Sequence, residues 1–202
     1  MAANIDIINR ALAKLGQARL SSLADRNSIA DLAGSLFDIV RDDEIAAHRW
    51  HFAKARVRLA AEAEKPAFGW AFQYVLPGDC LRVLLAGPWP QPVMGDYVGG
   101  DTQSYVIEGR KILSRLGPAL DLSYLRRVEE AALFPPEFVE VLACKLAVEM
   151  CETLTGSASK RDLAWKEYEQ AVRRARRVNA IQLPPQFVQD DSWLLAHQLG
   201  VL

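Results

Sequence analysis

Residues 37–59, FDIVRDDEIAAHRWHFAKARVRL, change their hydrophobic period part-way along. Up to Trp50 the apolar positions recur at helical spacing; beyond it Lys54, Arg56 and Arg58 alternate with Ala55, Val57 and Leu59, the period of a strand with one wet face. A helix that turns into a strand across an aromatic cluster must lie where two layers of structure meet. Trp50, His51 and Phe52 are therefore read as a structural junction, and the rest of the chain has to supply a layer on either side of it.

Upstream, Ile5, Ile8, Leu12 and Leu15 predict a short one-faced helix with Asn4 as its cap and Gly16 as its stop. Ser28 followed by Asp31 resembles a capping box, and the helix it opens is expected to bury Leu32, Leu36, Ile39, Val40, Ala47 and Trp50. Downstream, Phe72, Tyr74 and Leu76 alternate before the turn residues Pro77, Gly78 and Asp79, and 81–85 reads as a further strand. Residues 104–107 and 111–114 form a hairpin about Glu108, Gly109 and Arg110, and Leu120, Leu122 and Tyr124 alternate once more. After Pro135 and Pro136, residues 137–154 are the most apolar helix, with Glu137, Glu140, Lys145, Glu149 and Glu152 confined to one stripe, the pattern of a bundle's central helix. A fourth helix over 159–180 is expected to turn Ala164, Trp165, Tyr168, Val172 and Ala175 inward. The fold class is thus α+β: a bundle of about four helices from 1–53 and 130–180, an inserted small antiparallel β-sheet at 54–129, and an extended C-terminal tail at 181–202.

Length and charge bound the function. The 202 residues suit one domain with an insertion, and an apolar half with 24% charged residues is a globular composition. The net charge is −1, whereas a protein that grips DNA carries a basic surplus. Cys80, Cys144 and Cys151 contain no CxxC pair, and Cys144 and Cys151 sit two helical turns apart, as buried thiols do. With no charged-then-apolar leader and no run of about 20 apolar residues, the chain is expected to be soluble and kept in a reducing compartment.

Catalytic motifs are scarce. No GxSxG, P-loop, HExxH or glycine-rich dinucleotide turn occurs, and no cofactor is expected. His48 and His51, with Asp42, Asp43 and Glu44 nearby, invite a metal or acid–base reading, but HxxH without a further ligand pair specifies neither. Asp42, Asp43 and Glu44 fan around a helix, so they do not flank one bond as a hydrolase requires.

Three features point to contacts with other molecules instead. Residues 87–103 are rich in Pro and Gly yet carry Trp89 and Tyr97. Beyond Pro184 and Pro185 the tail holds Phe187, Trp193, Leu194, Leu195 and Leu199, large apolar residues suited to docking on a neighbour. On the fourth helix Lys160, Arg161, Lys166, Arg173, Arg174, Arg176 and Arg177 face outward, with Arg173 and Arg177 four apart on one face. That cluster fits a solvated helix end, salt bridges to a neighbour, or phosphate contact.

The order of these pieces resembles the tail tubular protein A family, the head-to-tail adaptors of short-tailed bacteriophages. The resemblance lies in an arginine-led helix ending at Trp50, Phe52 and Ala53, and in the run Tyr74, Leu76, Pro77, Asp79, Cys80, Leu81, Arg82, Val83. Tyr124, Arg127, Phe134, Pro135, Pro136 and Phe138 before the apolar helix complete it, so that residues 4–180 are covered in order. Arg49 and His51 depart from it, standing where a Pro and an Asn are usual. The resemblance implies a non-enzymatic virion protein made in the bacterial cytoplasm: a homo-oligomeric ring, a dodecamer in that family, between portal protein and tail nozzle. Double-stranded DNA would pass through it without sequence-specific binding. The alternatives are a tail-associated hydrolase and a DNA-binding module using Arg173–Arg177.

Overall fold

The sheet region takes its form from two alternating surfaces that face one another. The computed structural model describes residues 3–24, 27–87 and 105–182. Along the chain run α1 (Asn4–Lys14), α2 (Ser28–Ala47), a single 3-10 turn (His51–Ala53) and strands β1 (Lys54–Ala60), β2 (Phe72–Val75) and β3 (Cys80–Ala86). Then come β4 (Tyr105–Glu108), β5 (Lys111–Ser114), β6 (Ala119–Arg126), a second 3-10 turn (Ala131–Leu133), α3 (Pro136–Thr155) and α4 (Ala158–Ile181). The α+β class expected from sequence is what the structure has, but the inserted sheet is two antiparallel three-stranded sheets, in the orders β1-β6-β3 and β2-β5-β4.

Alternation decides which side chains meet between them. In the first sheet Ala55 pairs with Tyr124, Val57 with Leu122 and Leu59 with Leu120, so one face is wholly apolar. In the second, Tyr74 lies beside Ile112, both fully buried. These two faces close on each other and form one hydrophobic cluster. The β4–β5 hairpin turns through Gly109 and Arg110 alone, with Glu108 and Lys111 still paired in the ladder and Gly109 at φ 58°.

A second cluster lies among the helices, with α3 at its centre against α1, α2 and α4. Ten of the 20 residues of α3 are buried, from Phe138 to Cys151, and Pro136 occupies the first turn where its missing N–H has no partner to lose. Gly156, left-handed at φ 58°, ends the helix by donating its N–H to the Glu152 carbonyl. The boundary between the clusters is sharp: Ala53 and Leu125 belong to the helical one, Ala55 and Tyr124 to the sheet one. Leu81 and Leu84 of β3 also pack on the helices, which two register shifts in β3 allow.

Several local expectations are corrected. The cap of α1 is Ala3, whose N–H donates to the Asp6 carboxylate at 2.9 Å, and Asn4 is already helical. The cap of α2 is Asn27, whose side-chain oxygen accepts from the Ala30 N–H at 2.8 Å, so Ser28 is inside the helix. The buried face of α2 is Ala30, Ala33, Phe37, Val40, Arg41, Glu44 and Ile45; Ile39 is 69% exposed and Ala47 is also outside. The face was misread because Arg41 and Glu44 are polar residues that the core holds. On α4, Trp165 is 44% exposed, Ala164, Tyr168 and Val172 are half-buried, and Ala175 alone is buried. Of the expected tail, 181–202, Ile181 is still the last residue of α4, and 183–202 and nearly all of the Pro/Gly-rich stretch lie outside the described residues.

Phe138→Ala is expected to cost about 3–5 kcal/mol in urea denaturation, because it empties a filled core position. Ile39→Ala, on the face corrected here, is expected to change stability by less than about 0.5 kcal/mol. A large loss at Ile39 would return that residue to the core.

Candidate interaction surface

The junction is held by aromatic packing from one side and by a single amide from the other. Trp50 is buried, and its indole N–H donates to the Glu44 carbonyl at 2.8 Å, closing the chain back on the last turn of α2. Its ring meets Phe138 edge-on with centroids 5.2 Å apart. Phe52 lies 4.8 Å from Phe138 and 5.6 Å from Phe134, and Phe134 is 5.1 Å from Phe138. Four aromatic rings from the junction, the turn before α3 and α3 itself thus share one contact centre.

On the opposite side stands Asn179 of α4, which no motif singled out. Its side-chain oxygen accepts from the His51 N–H at 3.1 Å, and its amide donates to the Arg49 carbonyl at 3.1 Å. The same amide approaches the His48 ring at 3.4 Å, and the His51 ring is hydrogen-bonded to the Asn179 carbonyl. Both histidines are therefore occupied in tying α4 to the junction. The sequence signal was slight: Asn near a helix end is ordinarily a terminator, and nothing local marks it as a long-range clamp.

The carboxylates of α2 separate in the same way. Glu44 is buried and accepts from the Tyr168 hydroxyl at 2.7 Å. Burial raises its pKa, opposed by the Tyr168 hydrogen bond and by Lys145, and burial likewise pushes the Tyr168 phenol up. Asp42 accepts from Arg127 at 2.7 Å and from buried Arg41 at 2.9 Å, while Arg41 also reaches Asp38 at 2.7 Å. That chain of ion pairs joins α2 to the end of β6. Asp43 is exposed. Among the described residues no three His, Cys, Asp or Glu side chains gather closely enough to hold a metal ion. The Cys144 thiol is pushed up to about 11 by burial, which removes its nucleophilic form near neutral pH. A cleft on the outer face of the first sheet contains Arg58 and Asp121, and these hold each other at 2.6 Å.

What remains is surface. Of the 24 residues of α4 only Ala175 is buried, while Leu163 is 60% and Ile181 74% exposed. Lys145 of α3 sits 5.5 Å from the ring centres of both Trp165 and Tyr168, and Arg161 pairs with Glu152 at 3.2 Å. Arg173, Arg174, Arg176 and Arg177 are all exposed, as are Arg49 and Arg82 beside the junction. The Arg82 guanidinium donates to the Ala46 carbonyl at 3.0 Å. The ends of α2 and α4 meet here, and the partial negative charge at the C-terminus of α2 favours the Arg82 cation without any ligand. His48 lies among them: burial first, then Arg176, Arg82, His51 and Arg49, lowers its pKa.

Trp50, His51 and Phe52, read as junction residues, are at the junction, and of the residues expected to make contacts Arg173 and Arg177 are on the exposed face of α4. Trp89, Tyr97, Phe187, Trp193, Leu194, Leu195 and Leu199 lie outside the described residues. No helix among the described residues is long and apolar enough to cross a membrane. Compared with models of known protein families and with curated proteins, the chain matches none.

Two outcomes are expected from the junction. Asn179→Ala removes both halves of the clamp and should cost about 1–3 kcal/mol in chemical denaturation, since the backbone groups of the turn lose their partner. For Glu44 the sign follows from its raised pKa: the folded protein holds that proton more tightly than the unfolded chain. Its stabilising contribution is present below the ordinary value near 4.5 and is lost as pH rises through the folded value. Glu44→Gln keeps an acceptor for Tyr168 without the charge, so its melting temperature relative to the parent should be higher at pH 7 than at pH 4. A difference independent of pH would show that Glu44 titrates normally.

Proposed function

We propose that this chain is a structural subunit of a bacteriophage head-to-tail adaptor, a ring between portal and tail nozzle through which DNA leaves the head. The observation that carries the reading is α4: a helix of 24 residues with one buried side chain has most of its circumference left for a neighbour. A ring of identical subunits supplies such a neighbour to every copy, because heterologous contacts close when the rotation between copies closes. The order of residues from 4 to 180 that resembles the adaptor family is the second support, and the braced junction is the third. A subunit that positions a sheet module relative to a bundle needs that angle fixed, and four packed rings with the Asn179 clamp resist its bending.

Charge supports the conduit role. Each arginine or lysine on a phosphate adds affinity through released counterions, and a strongly basic channel wall would hold its cargo. At a net charge of −1 the chain carries no such surplus, and in this reading the arginines of α4 face protein and the channel wall is neutral or acidic. Nothing catalytic is required of the chain.

At low concentration, mass photometry is expected to give monomers alone and a ring when portal-bearing heads are supplied. Removing residues 184–202, with Phe187, Trp193, Leu194, Leu195 and Leu199, should weaken that attachment. Heads that leave the chain unbound would overturn the reading. Salt-dependent retardation of duplex DNA, lost in Arg173→Ala/Arg177→Ala, would favour the DNA-binding module instead.

A further inference from the structure

We propose that Arg49, Arg82, Arg173, Arg174, Arg176 and Arg177 form the basic half of a contact between copies of this chain, the other half being the acidic surface of the adjacent copy. The inference rests on the ring reading and names the surface which that reading leaves open.

The six come from three elements that the fold brings together. Arg82 reaches from β3 to the Ala46 carbonyl at the end of α2. Arg49 lies in the turn that Asn179 holds through the Arg49 carbonyl. Arg176 stands one helical turn before Asn179, with the other three arginines around it on α4. All six are exposed, and among the described residues none has a carboxylate within ion-pair distance. Five arginines elsewhere, Arg10, Arg41, Arg58, Arg127 and Arg161, each pair with an acid. Glu44, which lies within the field of Arg176, is buried against Tyr168 and is not presented to the surface.

The residue type narrows the purpose. These six cations are all arginine, although the chain also has lysines to place. Lysine keeps a tightly held hydration shell; guanidinium gives up water more readily and its planar fork matches a carboxylate. Protein interfaces are correspondingly enriched in arginine and depleted in lysine. An arginine-only patch is suited to being desolvated by a partner rather than to keeping the chain in solution.

The charge balance narrows the partner. Setting these six aside from the 24 basic residues leaves 18 against 25 acidic ones, so the remainder of the molecule is net negative. A duplex along α4 would lie beside that negative remainder and be repelled by it. A second copy instead brings that net-negative remainder to the arginines, and such a charge asymmetry favours head-to-tail association.

The test is sedimentation velocity of the full chain over a concentration series, in about 50 and about 500 mM NaCl, for the parent and for Arg173→Glu/Arg177→Glu. Thermal melts confirm that the variant is folded, and Arg49→Glu/Arg82→Glu serves as a second variant on a different element. The parent is expected to self-associate at high concentration and low salt, about tenfold more weakly at high salt, with association lost in both variants. Variants that associate as well as the parent would overturn the proposal. So would a parent that stays monomeric throughout; if that monomer retards a duplex in an Arg173/Arg177-dependent way, the patch is a nucleic-acid surface. Ring formation on portal-bearing heads is a separate measurement, so the adaptor reading can survive the failure of this contact.

Discussion

Phe138 is the residue on which two otherwise separate cores depend. Its ring is fully buried, and Trp50, Phe52 and Phe134 all touch it. Trp50 and Phe52 belong to the segment that leads into β1, Phe134 to the segment that leaves β6, and Phe138 to the helix at the centre of the bundle. Both covalent links between sheet module and bundle are therefore pinned to one point. A two-chain crossing with no such anchor would be free to hinge, because the sheet sandwich closes on a cluster of its own. The aromatic contact, together with the Asp42–Arg127 pair and the seating of Leu81 and Leu84 on the bundle, converts two cores into one rigid subunit.

How much of this could be read in the sequence depended on whether polarity reported burial. It did for α3, where five charged residues fell on one stripe and Phe138 to Cys151 filled the rest. The same rule failed for α2. Arg41 is buried because Asp38 and Asp42 satisfy it, and Glu44 because Tyr168 does, so the true inner face contains charges and the apolar Ile39 points away. Alternation located every strand yet could not assign strands to sheets: Tyr74 and Tyr124 have the same pattern, and only the long-range pairing puts them on opposite walls of one cluster. For the junction, sequence supplied Trp50, His51 and Phe52 but not Asn179, since a hydrogen bond spanning 128 residues leaves no local trace. The contacts expected of Trp89, Tyr97 and the apolar residues beyond Pro185 rest on composition alone and fall outside the described residues.

α4 is attached differently from the other helices. It fully buries one alanine and half-buries Tyr168, Ala171 and Val172 on the core, and directional contacts supplement that narrow seam: Tyr168 to Glu44, Asn179 to the junction, and the two rings flanking Lys145. Directional contacts fix orientation more sharply than area does, but each is worth only about 0.5–1.5 kcal/mol net. The consequence is a helix held in one rotational setting while its outward face stays uncovered. Replacing those contacts with a wider apolar seam would have hidden the surface that α4 now presents.

The arginines show how such a surface can exist on one chain. Arg49, Arg82 and Arg176 gather about His48 and repel one another, and after burial their field lowers its pKa. One helix end opposes that repulsion: α2 terminates at His48, and Arg82 reaches the carbonyl of Ala46 in its last turn, whereas the arginines of α4 precede the last turn of their own helix. Such an end favours a nearby cation by about 0.3–1 kcal/mol, an effect confined to the final turn. The Arg82 bond to the Ala46 carbonyl is that interaction seen directly. Convergence of α2 and α4, which the Asn179 clamp enforces, therefore gathers Arg49, Arg82 and Arg176 around His48. Among the described residues their guanidinium forks have no ion-pair partner, and the junction that braces the subunit is also what assembles this basic surface.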